Sequence, residues 1–109
     1  MSFKILTTLE FEKEIKKLAK KYPSLKKDYF LFLNSLKQNP LQGVSLGNNI
    51  YKIRLLISSK RTGKSGGARV ISYLKIVDKE LVLISIYDKS ERANITDKEI
   101  KERLKRYLT

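Results

Sequence analysis

Ile50-Tyr51-Lys52-Ile53-Arg54-Leu55-Leu56-Ile57-Ser58 is the stretch at which the hydrophobic period of this chain changes from about 3.6 residues to 2. Tyr51, Ile53, Leu55 and Ile57 share one face of a strand, and Lys52, Arg54, Leu56 and Ser58 share the other. The first face reads as core and the second as partly cationic. Two further runs follow, Arg69 to Val77 and Leu81 to Asp88, both rich in Val, Ile, Leu and Tyr. The short link Asp78-Lys79-Glu80 between them predicts an antiparallel hairpin. Three strands in meander therefore form the second half of the chain.

Upstream the period is helical. Phe3 to Leu6 is short and apolar enough for a strand. Thr7-x-x-Glu10 has the spacing of a capping box, with Leu6 and Phe11 placed as its hydrophobic staple. Phe11, Ile15, Leu18 and Tyr22 then recur at helical spacing up to Pro23. Ser24 is placed to cap a second helix carrying Leu25, Tyr29, Phe32 and Leu36, with Phe30 and Leu33 widening its apolar face, and Asn39-Pro40 ends it. Pro40 to Asn49 reads as a loop with turn signals at Gly43, Gly47 and Asn48-Asn49. At the other end Thr96-x-x-Glu99 is a second capping box with Ile95 and Ile100 as staple, opening a helix striped by Ile100, Leu104 and Leu108. The expectation is an α+β fold in one domain, residues 1–109. An N-terminal strand and two helices pack on one face of a mainly antiparallel sheet, a C-terminal helix follows, and the opposite face stays free to bind.

Charge narrows the function. The chain has 24 Lys and Arg against 11 Asp and Glu, a net charge of +13. No acidic residue lies between Asp28 and Asp78, where Lys37, Lys52, Arg54, Lys60, Arg61, Lys64, Arg69 and Lys75 all fall. Such an excess points to nucleic acid, an acidic protein or an anionic surface rather than to a small-molecule enzyme. The longest strongly apolar run, Leu81 to Ile86, is far short of the roughly 20 residues of a spanning helix. No membrane role is expected, and the cytoplasm is the expected location. The absence of cysteine removes thiolate chemistry and disulfides. The absence of histidine removes the commonest acid or base near neutral pH and leaves any tightly held zinc to carboxylates alone. No metal or other cofactor is expected, and chemistry falls to Lys, Arg, Tyr or a carboxylate.

The loop Lys60-Arg61-Thr62-Gly63-Lys64-Ser65-Gly66-Gly67-Ala68-Arg69 concentrates the cations. Its glycines let backbone approach a ligand or turn where a Cβ would clash, and its cations suit phosphate. Gly63-Lys64-Ser65 is not a nucleotide-binding P-loop. That motif needs a glycine where Ser58 stands, and it leads into a helix rather than a strand. Each feature also has a plainer reading: a solvated loop at Lys60 to Lys64, a simple turn at Gly66-Gly67, packing at Tyr87, salt bridges at Arg54 and Arg69. The charged helix faces around Lys16, Lys17, Lys26, Lys27, Lys101 and Lys105 read as solvated.

Three segments together resemble the RelE/ParE superfamily of bacterial toxins, nearest its RelE and HigB-type branch. They are Tyr51-Lys52-Ile53-Arg54, Gly63-Lys64-Ser65-Gly66-Gly67-Ala68-Arg69-Val70-Ile71, and Leu83-Ile84-Ser85-Ile86-Tyr87-Asp88-Lys89-Ser90-Glu91. The resemblance implies the toxin of a toxin-antitoxin pair, cleaving messenger RNA on the ribosome and blocked by a cognate antitoxin protein. It points to Arg54, Lys64, Arg69, Tyr87 and Lys89 as catalytic residues, with Lys52, Lys60 and Arg61 binding RNA. Chemistry is consistent with that set. Internal attack by a 2′-hydroxyl needs a base, cations at phosphorus and an acid for the leaving 5′-oxygen. Arg54 and Arg69 offer rigid donor forks for phosphate. Lys64 and Lys89 are candidates for base or acid, and Tyr87 stacks on a base or orients the hydroxyl. Two departures stand out: Ala68 occupies a position often aromatic in the family, and the histidine of some branches is missing. Two alternatives from other classes are a ParE-like toxin that inhibits DNA gyrase by protein binding, and a nucleic-acid-binding module without catalysis. The loop lacks the aromatic residues a plain single-strand binder interleaves with its cations.

Overall fold

The computed structural model describes residues 3–59 and 67–109. Along the chain run β1 (Lys4–Thr7), α1 (Leu9–Lys21), α2 (Leu25–Gln38), β2 (Val44–Gly47), β3 (Ile50–Leu55), β4 (Ala68–Lys75), β5 (Glu80–Asp88) and α3 (Asp97–Leu108). The strands form one sheet in the order β1-β5-β4-β3-β2. Among these described strands, the β1–β5 pair is parallel and the others are antiparallel.

Alternation along the strands divides the interior into two cores. Ile53, Leu55, Val70, Leu81, Leu83 and Ile86 face α1 and α2, which contribute Phe11, Leu18, Leu25, Phe32 and Leu36. On the opposite face Ile71, Val82, Ile84 and Tyr87 meet Ile95 and Ile100, with Leu104 and Tyr107 packed alongside. The expectation of a wholly free second face is corrected here. The staple residues Ile95 and Ile100 are buried, and they seat α3 against β5. Cationic Lys52 and Arg54 of β3 remain at least partly open.

Local chemistry accounts for most element ends. The first helix is capped one residue later than the capping-box spacing predicts: Thr8, not Thr7, accepts the Phe11 N–H at 3.1 Å. Thr7 is held in the β1 ladder opposite Leu83, which denies it the cap. At α3 the prediction holds, with Thr96 Oγ1 accepting from Glu99 N at 3.1 Å. The segment read as loop before Asn49 contains β2, an exposed edge strand joined to β3 through Asn48 and Asn49. Both asparagines have positive φ, 52° and 64°, as a tight hairpin turn of the primed type requires. Phe30 does not widen the buried face of α2; it is 63% exposed.

Two polar assemblies hold these layers. At the N-terminus of α2, buried Asp28 accepts from the Ser24 hydroxyl (2.7 Å), the Ser58 N–H (2.9 Å) and the Ser58 hydroxyl (2.8 Å). Ser59 N–H donates to Ser24 Oγ at 2.8 Å, so the end of the β3 segment is fastened to α2. The second lies at the free edge of β5, past the end of β1. Arg103 of α3 grips Glu14 of α1 with both ends of its guanidinium, at 2.8 and 2.9 Å, and also reaches Glu99 at 2.9 Å. Its Nη1 donates to the Ile84 carbonyl at 3.1 Å, a carbonyl that the Thr8 hydroxyl also reaches at 3.2 Å. Glu14 in turn accepts from Ile86 N–H at 3.3 Å. Arg106 and Glu10, 2.7 Å apart, extend the same clasp at the surface.

Replacing Arg103 by Leu takes the counter-cation from Glu14 and leaves the Ile84 carbonyl to the Thr8 hydroxyl alone. A loss of about 3 kcal/mol is expected in urea unfolding, as for other ion pairs broken from one side; a change under about 1 kcal/mol would show that α3 is held by its apolar stripe alone. Asp28 gives a pH signature. Burial pushes its carboxyl up, but the bonds from Ser24 and Ser58 and the nearby Lys27 outweigh burial and hold it below its ordinary 3.8. A depressed folded value contributes stability that is present above 3.8 and lost as pH falls through the folded value. In thermal melts Asp28→Asn is expected to cost about 2 kcal/mol at neutral pH and to converge on the parent at strongly acidic pH. A constant gap at all pH values would mean that charge is not the origin.

Candidate functional site

Register brings the predicted side chains together. Arg54 of β3 is paired with Arg69 of β4, and Arg69 is paired with Tyr87 of β5. One row across three neighbouring strands thus carries two guanidiniums and a phenol. Lys52 lies two residues before Arg54 on the same face and opposite Ile71, in the adjacent row.

Tyr87 reaches this face because β5 is bulged. The pairing runs Ile71 with Ser85 and then Ser72 with Leu83, leaving Ile84 as an extra residue. Before the bulge Leu81 and Leu83 lie in the first core and Val82 and Ile84 in the second; after it Ile86 lies in the first and Tyr87 in the second. Unbroken alternation would put Tyr87 on the face of Leu81 and Leu83, away from both arginines. The edge groups of the bulge, Ile84 C=O and Ile86 N–H, are those held by Arg103, Thr8 and Glu14.

Electrostatically the row is unbalanced. Arg69 is only 6% exposed, the one hydrogen bond of its guanidinium among the described residues goes to the Ala68 carbonyl at 3.2 Å, and no described carboxylate pairs with it. Burial first, and then the charge of Arg54, lower its pKa from the ordinary value. Like charges directly opposite each other on a ladder repel. Tyr87 moves the other way. Burial raises its phenol above the ordinary value, against the pull of Arg69, Arg92 and a backbone hydrogen bond from Ile95. The phenol therefore keeps its proton at neutral pH.

Two site residues have no part in the sequence reading. Arg92 sits over the Tyr87 ring, 5.9 Å from guanidinium carbon to ring centroid, and pairs with Glu99 at the start of α3. The Asn94 side-chain oxygen accepts from Lys52 Nζ at 2.8 Å and from the Tyr87 hydroxyl at 3.4 Å. Both belong to the link between the last strand and the second capping box. The staple residue Ile95 is the available signal, because burying it draws the preceding link back over β5. Lys89 is exposed at the end of β5, and its backbone N–H donates to Gly67 O at 3.2 Å. Gly67 has φ +95°, and a Cβ there would meet the Leu55 carbonyl at 2.7 Å, so glycine is required for β4 to begin beside β3. Lys60, Arg61 and Lys64 lie outside the described residues. No group of three or more His, Cys, Asp or Glu side chains placed to hold a metal occurs among the described residues, and no helix there is long and apolar enough to cross a membrane.

Residues 4–107 match the family model described as the RelE toxin of the RelE/RelB toxin-antitoxin system. Among solved structures, the chain is similar to the free state of an E. coli toxin RelE mutant in which two arginines are replaced by alanine. The two are 18% identical, with a TM-score of 0.61 over 100% of both chains, a likeness of fold. A direct search of the curated proteins finds no match.

Because Arg54 and Arg69 oppose each other without a described counter-ion, Arg54→Ala is expected to keep or raise stability in low-salt thermal melts, by up to about 1 kcal/mol. The same change should remove most of the extra stability that added inorganic phosphate confers on the parent. A variant that melts lower and keeps its full phosphate response would place the anion elsewhere.

Proposed function

The chain belongs to the RelE toxin family, as the toxin of a toxin-antitoxin pair with a cognate antitoxin as partner, and on that premise we propose that it is an endoribonuclease of messenger RNA, acting on the ribosome. The observation that carries this reading is the Arg54–Arg69–Tyr87 row, a pair of opposed guanidiniums beside a protonated phenol. A phosphate between the arginines relieves their repulsion and is gripped by rigid donor forks, one of them in a poorly solvated position where electrostatic stabilisation is strongest.

The reaction is an internal transfer. The 2′-hydroxyl oxygen attacks the neighbouring phosphorus and gives its proton to a base. The bond to the 5′-oxygen breaks, and that oxygen takes a proton from an acid. The products are a 2′,3′-cyclic phosphate and a 5′-hydroxyl. Arg54 and Arg69 hold the two non-bridging oxygens as charge grows on them. Tyr87, kept protonated by burial and oriented by Asn94, donates a hydrogen bond to the reacting group. The proton-transfer roles fall to Lys89, exposed at the end of β5, and, on the family resemblance alone, to Lys64, which lies outside the described residues. Lys52 extends the cationic face along β3, and Lys60 and Arg61, outside the described residues, bind RNA on the family resemblance alone. The family resemblance supports the ribosome as the place where the messenger is presented in an attackable geometry.

Primer extension on a defined messenger, with and without ribosomes, tests the proposal. New 5′ ends are expected with ribosomes. They should fall about 10²-fold to 10³-fold in Arg69→Ala, as when a transition-state donor is removed, and at least about tenfold in Tyr87→Phe. Cleavage of free RNA at the same rate would keep the enzyme and discard the ribosome. No cleavage in either condition would shift the weight to gyrase inhibition or plain nucleic-acid binding.

A further inference from the structure

On the helical side of the sheet, α1 carries four lysines that the row just described does not use. Lys13, Lys16, Lys17 and Lys20 stand at i, i+3, i+4 and i+7, within an arc of about 100° on one face. All four are exposed, and none has a carboxylate partner among the described residues. Like charges at three-residue and four-residue spacing destabilise a helix. The helix does contain acids, but two of them are spent elsewhere: Glu10 on Arg106 and Glu14 on Arg103. The third, Glu12, is exposed at the margin of the face, four residues before Lys16, so the clasp with α3 leaves four cations facing one nearby acid with no ion pair among the described residues.

One lysine of this face, Lys17, and one residue of the row, Tyr87, line the same groove. A groove between α1 and the free edge of β5 is lined by Lys17 and Lys21 on one side and by Tyr87 and Arg92 on the other. Its acids are engaged, Glu14 with Arg103, Asp88 with Tyr22 and Lys21, Glu91 with Lys21, and Arg92 is held by Glu99, so Lys17 is the lining cation with no carboxylate partner among the described residues. Tyr87 thus borders both the arginine row and the groove that leads round the sheet edge to the lysines.

We propose that the Lys13–Lys16–Lys17–Lys20 face of α1 is a second RNA-backbone contact, holding the single strand whose scissile phosphate lies at Arg54 and Arg69 after it passes through the groove beside Tyr87 and Arg92. The identity of that strand rests on the endonuclease reading. The contact itself rests on the lysines, none ion-paired among the described residues, and on the groove. Its chemistry is phosphate charge without base reading, since the face presents ammonium groups alone.

The test uses RNA with 2′-O-methyl groups throughout, which binds without being cut. Affinities of a three-nucleotide and a twelve-nucleotide strand are measured against salt, for the parent and for a variant combining Lys13→Gln, Lys16→Gln and Lys20→Gln. The parent is expected to gain affinity as the strand lengthens. In the variant the slope of log affinity against log salt for the long strand should fall by about 2, at roughly 0.7 for each phosphate no longer neutralised, with about a tenfold weaker affinity at low salt. Removing like-charge neighbours should leave the melting temperature equal or higher, so weaker binding cannot be blamed on unfolding. Equal slopes and equal gain with length would overturn the proposal. Loss of duplex RNA binding with single-strand binding intact would overturn the continuous track and give the lysines to a structured RNA. Loss of binding to an acidic peptide alone would overturn it in favour of a protein partner. A parent that shows the expected salt slope yet never cuts messenger would sustain the contact while removing the endonuclease.

Discussion

A single extra residue in β5, and the groups that hold it, set the geometry of everything around the site. Ile84 interrupts the pairing with β4, and the interruption carries Tyr87 from the face of α1 and α2 to the face of Arg54 and Arg69. A bulge exposes backbone groups that lack a ladder partner, and here they lie where β1 has already ended. Arg103, Thr8 and Glu14 occupy them. The cation and carboxylate that close the edge are also the groups that link α3 to α1 around it. Fold stability and site geometry therefore share one assembly, and the Glu14 bond raises the Arg103 pKa despite its burial, so the clasp stays charged.

The site obeys the opposite logic. Arg103 is neutralised by two carboxylates, while Arg69, equally buried, has none among the described residues. A protein that only sought stability would pair or remove such a charge. Keeping it opposite Arg54 leaves a concentrated positive field with no counter-ion among the described residues. The same contrast runs through α1, whose Glu10 and Glu14 are turned toward the clasp and whose lysines are left facing outward.

Much of this is legible from residue order. The alternation in Ile50 to Ser58 places Arg54 and Lys52 on the polar face of a strand with Ile53 and Leu55 in the core, as found. The Thr96 cap, the Ile95–Ile100 staple and the amphipathic pattern of α1 read correctly because each depends on neighbours within a turn or two. Thr7 fits the spacing of a cap and does not act as one, because its competing partner, the ladder with Leu83, is distant in sequence. β2 is hidden because four exposed residues on a sheet edge carry no hydrophobic period. Phe30 fits the helical pattern of α2 and is nevertheless exposed, since periodicity marks a possible face and not what covers it.

For the site, the sequence by itself determined the inventory: cations without acids between Asp28 and Asp78, no histidine or cysteine, and two arginines and a tyrosine near strand ends. These are properties of composition and local spacing, which need no long-range contact to be true. Only the tertiary structure decided that Arg54, Arg69 and Tyr87 stand in one row, that Arg92 and Asn94 fold back over them, and that α3 covers the β5 half of a face expected to be open. The run Leu81 to Tyr87 is apolar at nearly every position, so it contains no period from which a bulge could be read. Its side chains are assigned to faces by register with β4 and by the edge bonds of Arg103 and Glu14, which join residues far apart in the chain.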